Sequence, residues 1–376
     1  MKKKTKAISD SEQDQASARR STSKGRVKLG LDMHYRQVTV TMQEEDGPIK
    51  ALGKMSHDGF SHWVEKKLQA GFELYSCYEA GASGYWLHRD LEGLGVKNLV
   101  VTPKPMGQDR HQKTDRRDSA ELVDCLDRYL RGNSKALNPV AVPSAEVEEK
   151  RALIRYHRQL MADRDRCEAR GKGLLCAQGI EVRGKWWQFE NWQELKTHPR
   201  LKGWMEAQLE GWRKKRLALE REQQQLRRQI EALAPTLLPK GVGAYSAVAL
   251  EYELKGWGRF TRARALSSYT GLCPGIHSSD SRGREGRINR CGNAAVRWNL
   301  VEMVWRLLKW QPHYEAVRQL ARSLVKSKRA RKRLAVKAAR QLAIDLWRLH
   351  TGRVTAQQLG LIMQPTALRP SSKARP

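Results

Sequence analysis

A chain of 376 residues with 71 Lys and Arg against 40 Asp and Glu, a net of +31, has room for two domains and enough apolar content for a core. That excess argues against an enzyme of small molecules and for a polyanionic partner: nucleic acid first, because each neutralised phosphate releases counterions, and an anionic membrane surface second. The six cysteines (Cys77, Cys125, Cys167, Cys176, Cys273, Cys291) form no CxxC pair and none lies at zinc-ligand spacing from a histidine, while no signal-peptide core or 18-residue apolar run occurs; the expectation is a zinc-free, soluble, cytoplasmic protein with reduced thiols.

In chain order, residues 1–25 are polar and basic and read as a disordered tail. VKLGLDM (27–33) and QVTVTMQ (37–43) read as strands, followed by a turn at Asp46-Gly47-Pro48. FSHWVEKKLQAG (60–71) has helical spacing and a Gly stop; FELYSCYE (72–79) is strand-like; SGYWLHRDLEGLG (83–95) is a second helix; VKNLVVT (96–102) is a short apolar strand. Residues 115–130 repeat apolar positions at Ala120, Leu122, Val123, Leu126 and Leu130, a helical stripe. Strands that first meander and then alternate with helices imply an α/β unit over 26–142 with a mixed sheet.

Pro139 and Pro143 close that unit. Residues 143–235 hold a long charged helix from Ala145 to Ala177 and another from about Gly203 to Ala234, an antiparallel coiled-coil arm around an elbow with Trp186, Trp187, Phe189 and Trp192. Those aromatics suit packing at the elbow, or a platform for stacking bases. A mainly α second domain spans 236–352, and 353–376 reads as a tail. Its Gly-Val-Gly turn (241–243) resembles a helix–hairpin–helix, with a plain structural turn as the alternative. Residues 321–340 hold nine Lys or Arg and no acid, with an apolar side from Leu324, Val325, Leu334, Ala335 and Ala338. They read as a phosphate-contacting helix led by Lys328, Arg329, Arg331, Lys332 and Arg333.

In so basic a chain, acids at the ends of core elements need a reason. Asp32 ends the first strand, Glu79 ends a later one, and Asp115 and Asp118 sit three apart on one helix face. Four such carboxylates can converge, and magnesium prefers oxygen ligands; two ions clamp the attacking and leaving oxygens of phosphoryl transfer, with manganese as a substitute. Each acid alone also fits a turn, a cap or a first-turn position. Lys113, Arg116 and Arg117 would contact DNA phosphates or offset the carboxylates. Farther on, a Gly-, Ser- and Arg-rich loop follows Tyr-Thr-Gly-Leu-Cys-Pro and precedes an apolar helix. A serine there can attack a phosphodiester while Arg282, Arg284 and Arg287 absorb the developing charge; the loop alone fits a structural role equally.

Together these motifs resemble the DEDD insertion-sequence transposases of the IS110 family. LGLDM, CYEAG and KTDRRDS look like their RuvC-like, RNase H-like catalytic domain, YTGLCPGIHSSDSRGREGRINRCGNAAVR looks like their C-terminal transposase domain, and VKAARQLAIDLWRLHTGR looks like their closing helix. The resemblance covers about residues 26–352. It implies that Asp32, Glu79, Asp115 and Asp118 bind magnesium. It also implies that a serine forms a covalent link to DNA, that the two domains compose one active site across protomers of a dimer or tetramer, and that a structured RNA guides the choice of element ends and target. Ser279 matches the family serine, with Ser278 and Ser281 as alternatives. The family commonly follows that serine with Gly-Gly, whereas this chain has Asp280-Ser281. The competing readings are a RuvC-like, metal-dependent nuclease of branched DNA with water as nucleophile, and a non-enzymatic nucleic-acid-binding protein whose acids are structural.

Overall fold

Alternation in GRVKLGLDM builds β1 (Gly25–Met33), buried on both faces at the centre of a five-stranded sheet. The computed structural model describes residues 24–103, 115–277, 284–322 and 327–366. β2 (Gln37–Glu44) and β3 (Lys50–Ser56) continue from β1 as an antiparallel meander. α1 (His57–Gln69) starts where the Ser56 hydroxyl accepts from Gly59 N at 3.1 Å. β4 (Phe72–Glu79) then lies parallel to β1, α2 (Trp86–Gly93) crosses over, and β5 (Lys97–Val101) lies parallel to β4. α3 (Asp115–Leu130) completes the unit, and the sheet order is β3-β2-β1-β4-β5.

The period of two assigns the two faces of β1 to different layers. Val27, Leu29 and Leu31 join Phe60 and Val64 of α1 and Leu87 and Leu91 of α2 in one core. On the other face, Cys77 of β4 packs with Leu122, Cys125 and Leu126 of α3. Gly30 lies on this second face, where a built Cβ would stand 2.0 Å from the Ser119 carbonyl oxygen and 2.9 Å from Val123 N. Helix and strand therefore touch backbone to backbone. The Ser119 hydroxyl also meets Thr41 Oγ1 at 2.8 Å, and Thr41 is the β2 partner of Gly30. At the far end, buried Lys28 pairs with Asp127 and donates to Glu45 O at 2.8 Å. These contacts set α3 antiparallel to β1, with 127 over 28, 119 over 30 and the N-terminal end of the helix beside 32.

Packing divides the chain between Val142 and Pro143. The second unit opens with α4 (Ala145–Ala177), capped by the Ser144 hydroxyl on Val147 N, then α5 (Phe189–Lys196) and α6 (Gly203–Glu231). Ile154 and Leu160 near the start of α4 pack with Leu226 and Ile230 near the end of α6, while Leu175 packs with Met205 and Leu209, so the two long helices run antiparallel. Trp186 and Trp192 are buried between them, and Gly171 is needed because a Cβ would stand 2.0 Å from the Trp186 ring. Packing accounts for both indoles; Phe189 is exposed.

β6 (Leu237–Pro239), α7 (Ala244–Leu254), α8 (Ala263–Thr270), the β7 (Pro274–His277) and β8 (Arg284–Ile288) hairpin, α9 (Ala294–Trp310), α10 (Glu315–Ala321), α11 (Lys328–His350) and β9 (Met363–Pro365) follow. Their core gathers α9 residues Leu300, Met303, Val304 and Leu307 against Ala338, Ala339, Leu342 and Leu346 of α11. Three readings change here. The Gly-Val-Gly turn joins strand β6 to α7, not helix to helix, because Gly241 takes φ +91° beneath Trp310. The basic run is not one helix: α10 ends at Ala321 and α11 begins at Lys328, where the Ser327 hydroxyl caps Ala330 N. Residues 353–366 are packed rather than tail-like, since Leu361 is buried and β9 pairs with β6. Among the described residues, no helix is long and apolar enough to cross a membrane.

The close approach at Gly30 predicts that Gly30→Ala lowers stability by about 2 kcal/mol or more, at the upper end of overpacking costs. Chemical denaturation of the full chain checks this; a change under about 0.5 kcal/mol would show that α3 moves away freely.

Candidate functional site

Antiparallel register lines up Asp32 of β1, Thr39 of β2 and Lys54 of β3 in one row across the sheet. The neighbouring row, Gly30 and Thr41, carries Ser119 of α3, so Asp115, one helical turn before Ser119, reaches the Asp32 row. Two acids in the first helical turn, Asp115 and Asp118, are favoured there by the helix dipole. His34 lies just past the end of β1, where its N–H donates to Gln37 O at 2.9 Å across the β1–β2 turn.

The ligand atoms of Asp32, His34 and Asp115 lie within 4.8 Å of one another. His34 Nε2 is 3.3 Å from Asp32 Oδ2 and 3.3 Å from Asp115 Oδ2, and Lys54 Nζ is 2.9 Å from Asp115 Oδ2. The imidazole nitrogen is shielded from solvent, yet its approach to both carboxylates is not aligned for a hydrogen bond. Thr39 Oγ1, in the same row, is likewise buried and without a hydrogen-bond partner. Two carboxylates, an enclosed imidazole nitrogen and a nearby hydroxyl form a donor set that suits a divalent cation.

Asp118 is half-buried one turn along α3, and Glu79 is exposed at the end of β4, one residue beyond the Leu31–Tyr78 pair. Both lie at the same carboxyl-terminal edge of the structure as Asp32 or Asp115, but outside the 4.8 Å group. Lys54 and His34 were not identified from sequence. His34 had a faint signal, an Asp-x-His spacing at a strand end; Lys54 had none, because only long-range register brings it there.

Lys54 acts on the nearest acid. Its ammonium hydrogen bond holds the Asp115 carboxyl below the usual carboxylate range, against the smaller opposing effect of partial burial. Arg116 and Arg117 are exposed on the outer side of α3, and Lys113 lies outside the described residues. Of the serine loop, β7 and β8 pair antiparallel from Pro274–Ile288 to His277–Arg284. Arg284 and Arg287 lie on β8, while Ser278, Ser279, Ser281 and Arg282 lie outside the described residues. Lys328, Arg329, Lys332 and Arg333 are exposed on the first turns of α11, with Arg331 half-buried.

A β3-β2-β1-β4-β5 sheet with an antiparallel meander, two further strands parallel to the first and acids at the strand ends is consistent with an RNase H-like domain of the DEDD class. Sequence comparison agrees. The model of DEDD transposases of the IS110 type matches residues 29–177, and that of the Transposase IS116/IS110/IS902 family matches residues 239–319. The y4rJ protein of Sinorhizobium fredii, named as a transposase, is 30% identical over 271 residues, covering 64% of this chain and 67% of that one. The y4qE protein of the same organism, also named as a transposase, is 26% identical over 297 residues, 74% of this chain and 70% of its own. The transposase for insertion sequence element IS1533 of Leptospira borgpetersenii is 25% identical over 179 residues, 46% and 50% of the two chains. The chain belongs to the IS116/IS110/IS902 family of transposases, which cut and rejoin DNA.

Because the Asp115 pKa is depressed in the fold, the stability it contributes is present above the ordinary Asp range and is lost as pH falls through the lowered value. In a carbon-13 NMR titration of the metal-free chain, Asp115 should titrate below the ordinary aspartate range, and Lys54→Ala should move its midpoint upward. An unmoved midpoint would contradict the role given to Lys54.

Proposed function

We propose that this transposase recombines DNA with two groups: a divalent-metal centre on the first unit and a serine of the 278–281 loop on the second. The observation that carries the metal half is the gathering of Asp32, His34 and Asp115 within 4.8 Å, with Lys54 on Asp115. Asp32 and Asp115 would hold the ion, His34 would add a nitrogen donor, and Asp118 and Glu79 would complete the set from the same edge. Magnesium is the physiological choice, as one or two ions, with manganese as a substitute. When bound, the ion supplies Lewis-acid stabilisation to a phosphodiester oxygen.

The serine half rests on the family match over 239–319 and on a hairpin that presents the loop between two paired strands. In the proposed chemistry the serine Oγ attacks a backbone phosphorus. A P–Oγ bond forms, the P–O bond to one sugar breaks, the serine proton passes to a base, and the departing sugar oxygen takes up a proton. Attack by another strand's hydroxyl on that phosphoserine ester reverses the step and restores the serine, so no external energy source is required. Ser279 is the first candidate, then Ser278 and Ser281; Arg282, Arg284 and Arg287 supply positive charge for the phosphorane oxygens.

The exposed cations at Arg116, Arg117, Lys328, Arg329, Lys332 and Arg333, with Lys113, are proposed to bind phosphates of DNA and of a structured guide RNA whose pairing selects sequence. The α4–α6 helix pair serves as a coiled-coil arm, and the protein works as a dimer or tetramer on chromosomal DNA in the cytoplasm.

Incubation with cognate DNA and magnesium, followed by denaturing electrophoresis, tests the reading. Ser279→Ala, or its Ser278 or Ser281 counterpart, should abolish the denaturation-resistant protein–DNA adduct. Asp115→Ala and Asp32→Ala should lower strand cleavage at least about a hundredfold, as loss of one active-site electrostatic group does. Full adduct-free cleavage in all three serine variants would instead support metal-dependent hydrolysis by water.

A further inference from the structure

One buried acid of the second unit has no part in the metal centre. Glu253, near the end of α7, is 2% exposed. A carboxylate sealed this deeply needs partners, and two sets meet it from different directions. From α4, Arg155 donates Nε to Oε1 at 3.2 Å and Nη2 to Oε2 at 3.4 Å, with Arg151 Nη2 3.7 Å from Oε2. From the start of α9, Asn293 Nδ2 donates to Oε2 at 3.1 Å. Burial alone would raise the Glu253 carboxyl; Arg155, Asn293 and Arg151 outweigh it and hold the group below the usual range.

Asn293 is the residue that fixes where the serine hairpin ends. Its Oδ1 accepts from Ala295 N at 2.9 Å and Val296 N at 3.2 Å, capping α9. Its own N–H donates to Tyr269 O at 2.7 Å. The preceding residue, Gly292, is wedged so tightly that a Cβ would stand 2.5 Å from Tyr269 O and 2.9 Å from Ser268 O. Just upstream, Asn289 N donates to Cys273 O at 2.9 Å, which closes the open end of the β7–β8 hairpin. Tyr269 completes the arrangement: its hydroxyl donates to Glu253 O at 2.8 Å and lies 3.4 Å from Asn293 Nδ2. An unbroken set of hydrogen bonds therefore runs from Arg155 on α4, through Glu253, to the base of the hairpin.

We propose that Glu253 is a positioning residue for the serine loop, clamping Asn293 at the hairpin base to Arg155 of the long helix α4. A carboxylate suits this place because it alone accepts from a guanidinium and a side-chain amide at once while cancelling the buried positive charge. The consequence is a mechanical link between α4 and the base of the β7–β8 hairpin, the hairpin whose connecting residues include Ser278, Ser279 and Ser281. This inference rests on the serine reading for its catalytic meaning, but the link itself is testable without it.

Hydrogen–deuterium exchange of the full chain, read by mass spectrometry, is the test. Arg155→Ala is the primary variant, because its side chain is 54% exposed and its removal leaves no large cavity; Glu253→Gln is the second, keeping shape while losing charge. Each should speed exchange at residues 289–296 about tenfold, the factor that one charge-assisted hydrogen bond is worth, with residues 335–346 of α11 unchanged. Both should lower the rate of adduct formation at saturating DNA while leaving DNA affinity unchanged, and Arg155→Lys should recover part of that rate. Unchanged exchange at 289–296 in both variants, or an equal rise throughout α11, would overturn the clamp. Retention of the adduct when all three serines are replaced would sink the serine reading instead, and the exchange result would still decide the clamp.

Discussion

The first unit depends on how closely α3 can lie on β1. Gly30 permits a backbone contact that no other residue allows, with the Ser119 carbonyl where a Cβ would be. The Ser119–Thr41 hydroxyl pair fixes the lateral position of the helix, and Lys28–Asp127 fixes its far end. Register then does the rest. One row along the strand and one turn along the helix, Asp32 and Asp115 arrive within reach of the same imidazole. Coordination tolerates errors of only a few tenths of an ångström, so an unremarkable glycine in a strand governs whether two acids far apart in sequence can act together.

Charge explains why those acids are informative. In a chain of net +31, the deeper acids are matched by cations: Asp127 by Lys28 and Arg131, Glu253 by Arg155 and Arg151. Asp32 and Asp115 instead meet at one imidazole at the rim of the sheet, with Lys54 on Asp115. A negative spot there would repel the phosphates that the rest of the surface attracts. A divalent cation held by Asp32, His34 and Asp115 would reverse that local sign and would supply Lewis-acid stabilisation to a phosphodiester. The long-range field delivers DNA; the short-range carboxylates decide where on the molecule a cation can meet it.

Much of this was legible in the residues. The apolar alternation of 27–33 and 37–43 and the stripe of 115–130 gave the elements that carry Asp32 and Asp115, and the limits of α4 follow from its Ser144 cap and loss of helical pattern at Gly179. β3 lacks a strand signal because KALGKMS is an edge strand with no buried position and a glycine at φ +95°. Lys54 has none for the same reason, since a strand that is not recognised cannot contribute its register. The basic segment 321–340 looked continuous because charge and helical propensity persist across the junction that Ser327 caps. Glu253 could not be singled out at all: its partners are 98 and 40 residues away, and nothing local distinguishes it from Glu251.

The central claim is that Asp32, His34 and Asp115 form one cation site. Crystals of the full chain grown or soaked in manganese, with anomalous diffraction collected at the manganese edge, test it most directly. The account predicts an anomalous peak within bonding distance of a carboxylate oxygen of Asp32, a carboxylate oxygen of Asp115 and Nε2 of His34. Full manganese occupancy elsewhere, with no peak among these three residues, would contradict it.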